Sequence, residues 1–555
     1  MVGGDIVSSV KNKINKLLSE KIEKDFCNDK DFIDALHLLL NGNFIKYDFT
    51  NKEISLSNLK NNDFQTTMFK LNEKSDKQKK NGVYYTPNDV SEYIIANSFI
   101  NYIDKDIDKT INYNNIYEVL INLKEEDLEK ILYKNKILDP TCGSGEFLLN
   151  TFIMKFNLIK LKNNVSDENI LKITQTLYGN DIDDESTDIS KIRLFIYISS
   201  LLNEKKFYKK IAKALVNNFS NYDFILESDK ITNKFEIILG NPPYVEYGKF
   251  EQKDKLINKY GNIFADVIKN SIDLLKKDGV LGFIIPLSYV ATTRMAKIRE
   301  YVSQNCSKQI ILSFADRPDC LFSGVHQKLN IVIFKKTIDK DRKIYVSNYK
   351  HWYKDERKEL LNGREVIINN YELNFIPKIG NSIEKNIFNK IFTLSKENLY
   401  DSQQKLEKGL YLNMRSCFWI KAFSFNPGSS EYKEFNFKNS DYIICLLNSS
   451  LFWLFWTIVS DCWHITSKEL KHFRYIDTAE DFSALRKELE DKLEKTKKYV
   501  GSKQTEYEYK HKYCKDIIDK IDNKLAKIYG LTLEELNYIK EFAIKYRMGG
   551  LENEN

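Results

Sequence analysis

Between residues 82 and 340, short apolar runs of strand length alternate with apolar positions at helical spacing. Phe235-Glu236-Ile237-Ile238-Leu239 reads as a buried strand of a parallel sheet. The runs 136–138, 177–178 and 280–285 read the same way, and 310–314 with 329–334 form a hairpin-like pair. Between them, Val90, Tyr93, Ile94 and Ile100 fall on one helix face, interrupted by Asn97. Phe147, Leu148, Phe152 and Ile153 mark a second helix, Ile189, Ile192, Leu194 and Ile196 a third, and Phe264, Val267, Ile268 and Ile272 a fourth. Such alternation predicts a doubly wound α/β sheet with a terminal antiparallel strand pair.

Outside this stretch the pattern changes. Residues 1–80 are lysine-rich and weakly patterned, with Leu38, Leu39 and Leu40 on a helix, and predict a small helical arm. They show no paired carboxylates with a lysine, the constellation of a nuclease. Residues 341–440 are aromatic, polar and irregular. The most apolar run, 443–459, is broken by Asn448, Ser449 and Ser450 and is shorter than a membrane span requires, so buried core is expected. Beyond 478, Phe482, Leu485, Leu489, Leu493 and Val500 form one helical stripe, and Ile518, Ile521, Leu525 and Ile528 a second, predicting an antiparallel pair. Gly530 ends the second helix, and Thr532 with Glu535 opens another as a capping box. The expected divisions are an arm over 1–80, the α/β domain over 81–340, a mixed region over 341–477 and a helical region over 478–555.

Composition narrows the class. A chain of 555 residues calls for two to four domains. The 85 Lys and Arg against 78 Asp and Glu leave a net charge of +7, which permits a nucleic-acid partner without requiring one. The eight cysteines stand singly, with no CxxC pair, so no metal is expected and a reducing cytoplasm suits them. No apolar leader opens the chain, and neither secretion nor a membrane is expected.

The candidate chemistry sits where strands run into loops, the place at which open α/β sheets bind ligands. After residue 239 comes Gly240-Asn241-Pro242-Pro243-Tyr244. Two prolines stop the strand and stiffen its exit, leaving an amide, backbone carbonyls and a flat ring. The amide oxygen of Asn241 and the carbonyl of Pro242 suit the two hydrogens of an amino group on an aromatic base, and Tyr244 can stack on that base. An ordinary strand exit with a surface Tyr fits the same four letters.

Asp139-Pro140-Thr141-Cys142-Gly143-Ser144-Gly145 forms a nucleotide-type turn between a strand and a helix. The third glycine of GxGxxG is missing and no Gly-Lys-Ser/Thr follows, which argues against a dinucleotide or P-loop site. With Asp139 at its mouth, the turn suits a cationic cofactor bearing an amino acid. Asp181, ending the next strand, is placed to accept ribose hydroxyls, with Ile182 as a wall for an adenine and Asp183 as a helix cap. Asp223 and Phe224 offer a further carboxylate and ring; a solvated turn acid is the plainer alternative. Tyr85-Thr86-Pro87 precedes a helix whose exposed amides suit a small charged ligand, although helix capping by Thr86 explains the same residues.

Taken in order, Tyr85-Thr86-Pro87, Asp139 to Gly145, Asp181, Asp223 and Asn241-Pro242-Pro243-Tyr244 resemble the gamma-arrangement adenine-N6 DNA methyltransferases of restriction–modification systems, and in particular the Eco57I-like methylases. The resemblance covers about residues 80–340. It implies a Rossmann-like methyltransferase sheet, S-adenosyl-L-methionine as cofactor and base flipping in double-stranded DNA. By match, Tyr85, Thr86 and Pro87 would touch the methionine part. Asp139, Thr141 and Gly143 would hold the amino-acid and sulfonium end, Asp181 and Ile182 the ribose and adenine, and Asp223 and Phe224 the adenine. Asn241 and Pro242 would accept the target amino hydrogens, with Tyr244 and Phe322 against the base. A target-recognition region would lie C-terminal, a separate restriction endonuclease is a possible partner, and a monomer is favoured. The alternatives are the methylase part of a bifunctional restriction–modification enzyme, or a methyltransferase acting on RNA or on protein glutamine.

Overall fold

A computed structural model describes residues 30–39, 86–103, 110–250, 254, 256, 260–322, 325–337, 341–404, 409–501 and 506–549. Its centre is a sheet of nine strands. They are β1 (Ile137–Asp139), β2 (Leu177–Asn180), β3 (Phe219–Ser220), β4 (Phe235–Gly240), β5 (Leu275–Pro286), β6 (Lys308–Phe314), β7 (Leu329–Lys335), β8 (Lys343–Lys350) and β9 (Ile367–Ile368). Their order is β3-β2-β1-β4-β5-β7-β6-β8-β9. Strands β3 to β5 are parallel, and β7 is antiparallel to both β5 and β6.

The apolar runs form the central strands because both faces are covered. Every residue of β4, β6 and β7 is buried. The predicted antiparallel pair is present as β6 and β7. The sheet continues past it, and past residue 340, with β8 parallel to β6 and β9 antiparallel to β8.

Helices pack on both faces. The first, α1 (Lys30–Leu39), buries Phe32 against Phe195, ring centroids 5.2 Å apart. Next come α2 (Asn88–Ile103), α3 (Glu146–Leu161), α4 (Asp184–Ser199) and α5 (Ile263–Leu274). Burial on α2 extends well beyond the predicted stripe. Asn97 is tolerated inside because its Nδ2 donates to Tyr93 O and its Oδ1 accepts from Ile111 N. Asp183 caps α4 as expected, accepting from Ser186 N.

The apolar run after residue 440 is two helices, α6 (Ser440–Asn448) and α7 (Ser450–Val459), bent by 63°. The polar interruption explains the break. Asn448 Nδ2 donates to Ala422 O, Ser449 caps α7 by accepting from Phe452 N, and Asp522 Oδ1 accepts from Ser450 N. Both helices are buried almost throughout. Among the described residues no single helix is long and apolar enough to cross a membrane; only α6 and α7 together, with their bend, reach that length and composition.

The predicted antiparallel pair is α8 (Ser483–Thr496) and α9 (Lys515–Ile528), followed by α10 (Leu533–Glu541), whose Thr532–Glu535 capping box is present. Val500 lies beyond α8 and is exposed. Near the end of the described chain, the Arg547 guanidinium sits between the rings of Trp419 and Trp453, at 4.0 and 4.3 Å.

Candidate active site

The sheet changes direction between β1 and β4: β1 pairs with β2 on one side and β4 on the other. Doubly wound sheets open a crevice at such a point. Here the exits of β1 and β4 meet. A Cβ built on Gly240 would lie 2.9 Å from Asp139 Oδ1, so the β1 carboxyl is packed against the start of the Asn-Pro-Pro-Tyr loop.

The turn after β1 is held by buried polar side chains. Cys142 N donates to Asn180 O, and Asn180 Nδ2 donates to Pro140 O and Tyr222 O. Arg193 Nη1 donates to Ser144 O, and its Nη2 pairs with Glu146 Oε2 at 3.0 Å. Gly145 has φ +81°, and a Cβ there would strike Ser190 Oγ at 2.1 Å. Gly143 also has positive φ, at +50°, but faces open space within 4 Å. Its amide donates to Asp181 Oδ2 at 2.8 Å.

Two carboxyls converge on this turn. Burial pushes Asp139 well above its ordinary value, and nearby Asp181 adds to the shift. Burial likewise lifts Asp181 to about 6, against the opposing pull of the Asp183 and Gly143 amides. A cation brought between them would pull both down. Thr141 Oγ1 is shut from solvent and has no hydrogen-bond partner among the described residues. Ile182, next to Asp181, is 66% exposed although large and apolar. An open glycine cradle, an unsatisfied hydroxyl, raised carboxyls and an uncovered Ile fit a cationic cofactor with an apolar ring.

At the end of β4 the amide of Asn241 is fixed at both ends. Its Nδ2 donates to Thr86 Oγ1 at 3.1 Å, and its Oδ1 accepts from the Tyr244 hydroxyl at 2.5 Å. That hydroxyl also lies 3.0 Å from Ile284 O. Asn241 and Tyr244 are half-buried and Pro242 is buried.

Other predicted residues take different surroundings. Helix α2 starts at Asn88, with Pro87 O accepting from Val90 N and Ser91 N. Thr86 therefore precedes the cap position, and its hydroxyl serves Asn241 instead. Asp223 Oδ1 accepts from Ile225 N and Leu226 N, which ties it to its own turn. Phe224 and Phe322 are buried in the core, at 3% and 2% exposure. Tyr85 lies outside the described residues. Sequence reasoning missed Asn180 and Arg193. Two charges, Lys191 and Arg193, stand inside the 189–196 stretch, a signal that Arg193 shares; Asn180 has none.

Sheet and loops together define the class: a doubly wound α/β sheet with an antiparallel strand pair, its strand exits shaped into two facing loops. Residues 175–320, which include the Asn-Pro-Pro-Tyr loop, match the Eco57I restriction-modification methylase family, so the resemblance to the Eco57I-like methylases is borne out. The chain is similar to the type II methyltransferase M.BstVI of Geobacillus stearothermophilus, with 25% identity over 36% of this chain and 36% of the relative. It is similar to the type II restriction enzyme and methyltransferase RM.Eco57I of Escherichia coli, with 24% identity over 47% of this chain and 31% of the relative. The type II methyltransferase M.BanIII of Aneurinibacillus aneurinilyticus is 28% identical over 45% of this chain and 37% of the relative. The matches thus span about a third of these relatives' length.

Proposed function

We propose that the chain transfers a methyl group from S-adenosyl-L-methionine to the N6 amino group of an adenine flipped out of double-stranded DNA. The observation that carries this reading is Asn241, held at the exit of β4 with its Nδ2 on Thr86 and its Oδ1 turned to Tyr244. The relatives, named as type II methyltransferases, support the transfer chemistry.

An exocyclic amine is a poor nucleophile because its lone pair is delocalised into the ring. An amide oxygen and a backbone carbonyl that take both hydrogens favour a pyramidal nitrogen with a free lone pair. Thr86, by accepting from Nδ2, fixes which end of the Asn241 amide faces the amine. The Tyr244 hydroxyl holds that oxygen until an amine replaces it, and the ring then faces the base. Extruding the base costs a few kcal/mol of stacking, which aromatic contacts partly offset. When bound, S-adenosyl-L-methionine supplies a methyl group activated on a sulfonium centre. Asp139, Thr141 and Gly143 would hold its amino-acid end, Asp181 its ribose, and Ile182 would wall its adenine. Asp223 would serve the adenine only through an oxygen its own turn does not use. Positioning and electrostatics do the rest of the work, without a strong base. The region downstream of the sheet would read the DNA, and a separate endonuclease would complete a restriction–modification pair.

Label transfer from methyl-labelled cofactor to duplex DNA, RNA and protein tests the reading. Asn241→Ala is expected to lower methylation of DNA by at least about a hundredfold while keeping cofactor binding. Modification-sensitive sequencing should find N6-methyladenine. Near-normal activity in the variant, or label in RNA or protein instead of DNA, would overturn it.

A further inference from the structure

We infer that Arg357 is a positioning residue for this reaction, tying the wall of the site that fixes Asn241 to the loop that carries Phe322. The inference rests on the methyltransferase reading above. Arg357 lies in the short helix Lys354–Glu359, beyond all the motifs. Its Nε and Nη2 bind both oxygens of Asp89, at 2.7 and 2.9 Å. Asp89 is in the first turn of α2, three residues after Thr86, whose Oγ1 accepts from Asn241. The remaining guanidinium nitrogen, Nη1, donates to Leu321 O at 2.9 Å and reaches Cys320 O at 3.4 Å. Phe322 is the next residue, and Cys320 Sγ contacts its carbonyl at 3.0 Å.

One side chain therefore closes a chain of contacts from the amide that would accept the target hydrogens to the segment leading into Phe322. The Arg357 and Asp89 side chains are only 24% and 27% exposed, so this is not a fully solvated surface pair. The short helix is itself held from the far end of the chain. Glu356 accepts from Lys545 Nζ at 2.6 Å, from the Tyr546 hydroxyl at 2.9 Å and from Tyr353 N at 2.7 Å. The planar fork of an arginine spans two carboxylate oxygens and a carbonyl at once. A lysine keeps the charge but, with a single nitrogen, cannot reproduce that geometry. Arg357, outside both, thus links the helix start beside Asn241 to the segment 320–322, whose Phe322 packs in the core.

The test compares wild-type protein with Arg357→Lys, Asp89→Asn and the double variant. Measured are kcat, KM for duplex DNA, cofactor affinity, melting temperature and the fluorescence of 2-aminopurine placed at the target position. For each single variant we expect kcat to fall roughly tenfold to a hundredfold, since small misplacements are costly. The fluorescence rise that reports base extrusion should fall with it, while cofactor affinity and melting temperature hold. The double variant should be no worse than either single one, as for partners in one contact. Unchanged kcat in both single variants would overturn the inference. So would parallel loss of cofactor binding and melting temperature, which would make the pair a structural brace only. A wild-type protein that binds the cofactor but methylates no DNA would refute the methyltransferase reading itself, before any variant is compared.

Discussion

Asp181, proposed above to hold the cofactor's ribose, stands just past β2 with a carboxyl lifted by burial to about 6. Because this lies above its ordinary 3.8, the cofactor-free protein binds that proton more tightly than the unfolded chain does. Asp181 therefore adds stability as the pH falls through about 6 toward 3.8, and withdraws it as the pH rises. Cofactor binding has the opposite sign, since accepting ribose hydroxyls calls for the carboxylate. Affinity measured by titration calorimetry should weaken below about pH 6, by up to about tenfold per unit, and Asp181→Asn should flatten that slope. Thr86 gives a second expectation. Thr86→Val keeps the shape but removes the acceptor for Asn241 Nδ2, so kcat should fall about tenfold with cofactor affinity nearly unchanged. The reverse result would return Thr86 to the cofactor side. The place of Asp181 just past β2 was legible because the residues before it read as a strand. The Thr86–Asn241 contact was not, since no local pattern says which hydroxyl meets an amide 155 positions away.

The glycine turn shows how an element depends on a single backbone geometry. Gly145 opens α3 with φ +81°, against the buried Ser190 on α4. Gly145→Ala should cost about 1–3 kcal/mol through strained backbone and overpacking, read as a lower unfolding midpoint in urea together with weaker cofactor binding. Strands β4, β6 and β7 were legible because their apolar runs are bounded by turn residues. Strand β8, Lys-Ile-Tyr-Val-Ser-Asn-Tyr-Lys, was missed because neither a continuous apolar run nor a clean alternation marks it. The 443–459 run was legible as buried core but not as two helices. The polar Asn448-Ser449-Ser450 was visible, but the partners that satisfy it, Ala422 and Asp522, are not disclosed by sequence spacing.

Across the molecule, pieces that look separable in sequence are interlocked. Arg547 reaches from beyond α10 to a slot between Trp419 and Trp453, and its neighbours Lys545 and Tyr546 grip Glu356 beside Arg357. Local composition changes near 340 and 478, so the sequence suggests seams there, while the tertiary contacts cross both. The continuation of the sheet through β8 and β9 bears on evolution and engineering alike. A chimera that exchanges the C-terminal half for a relative's must keep β8 and β9 with the sheet, so its joint lies beyond Ile368 and has to rebuild the Glu356 contacts. A joint at residue 340 would strip β8 from the seven-residue strand β6 and leave a flat apolar edge open to pairing with other chains.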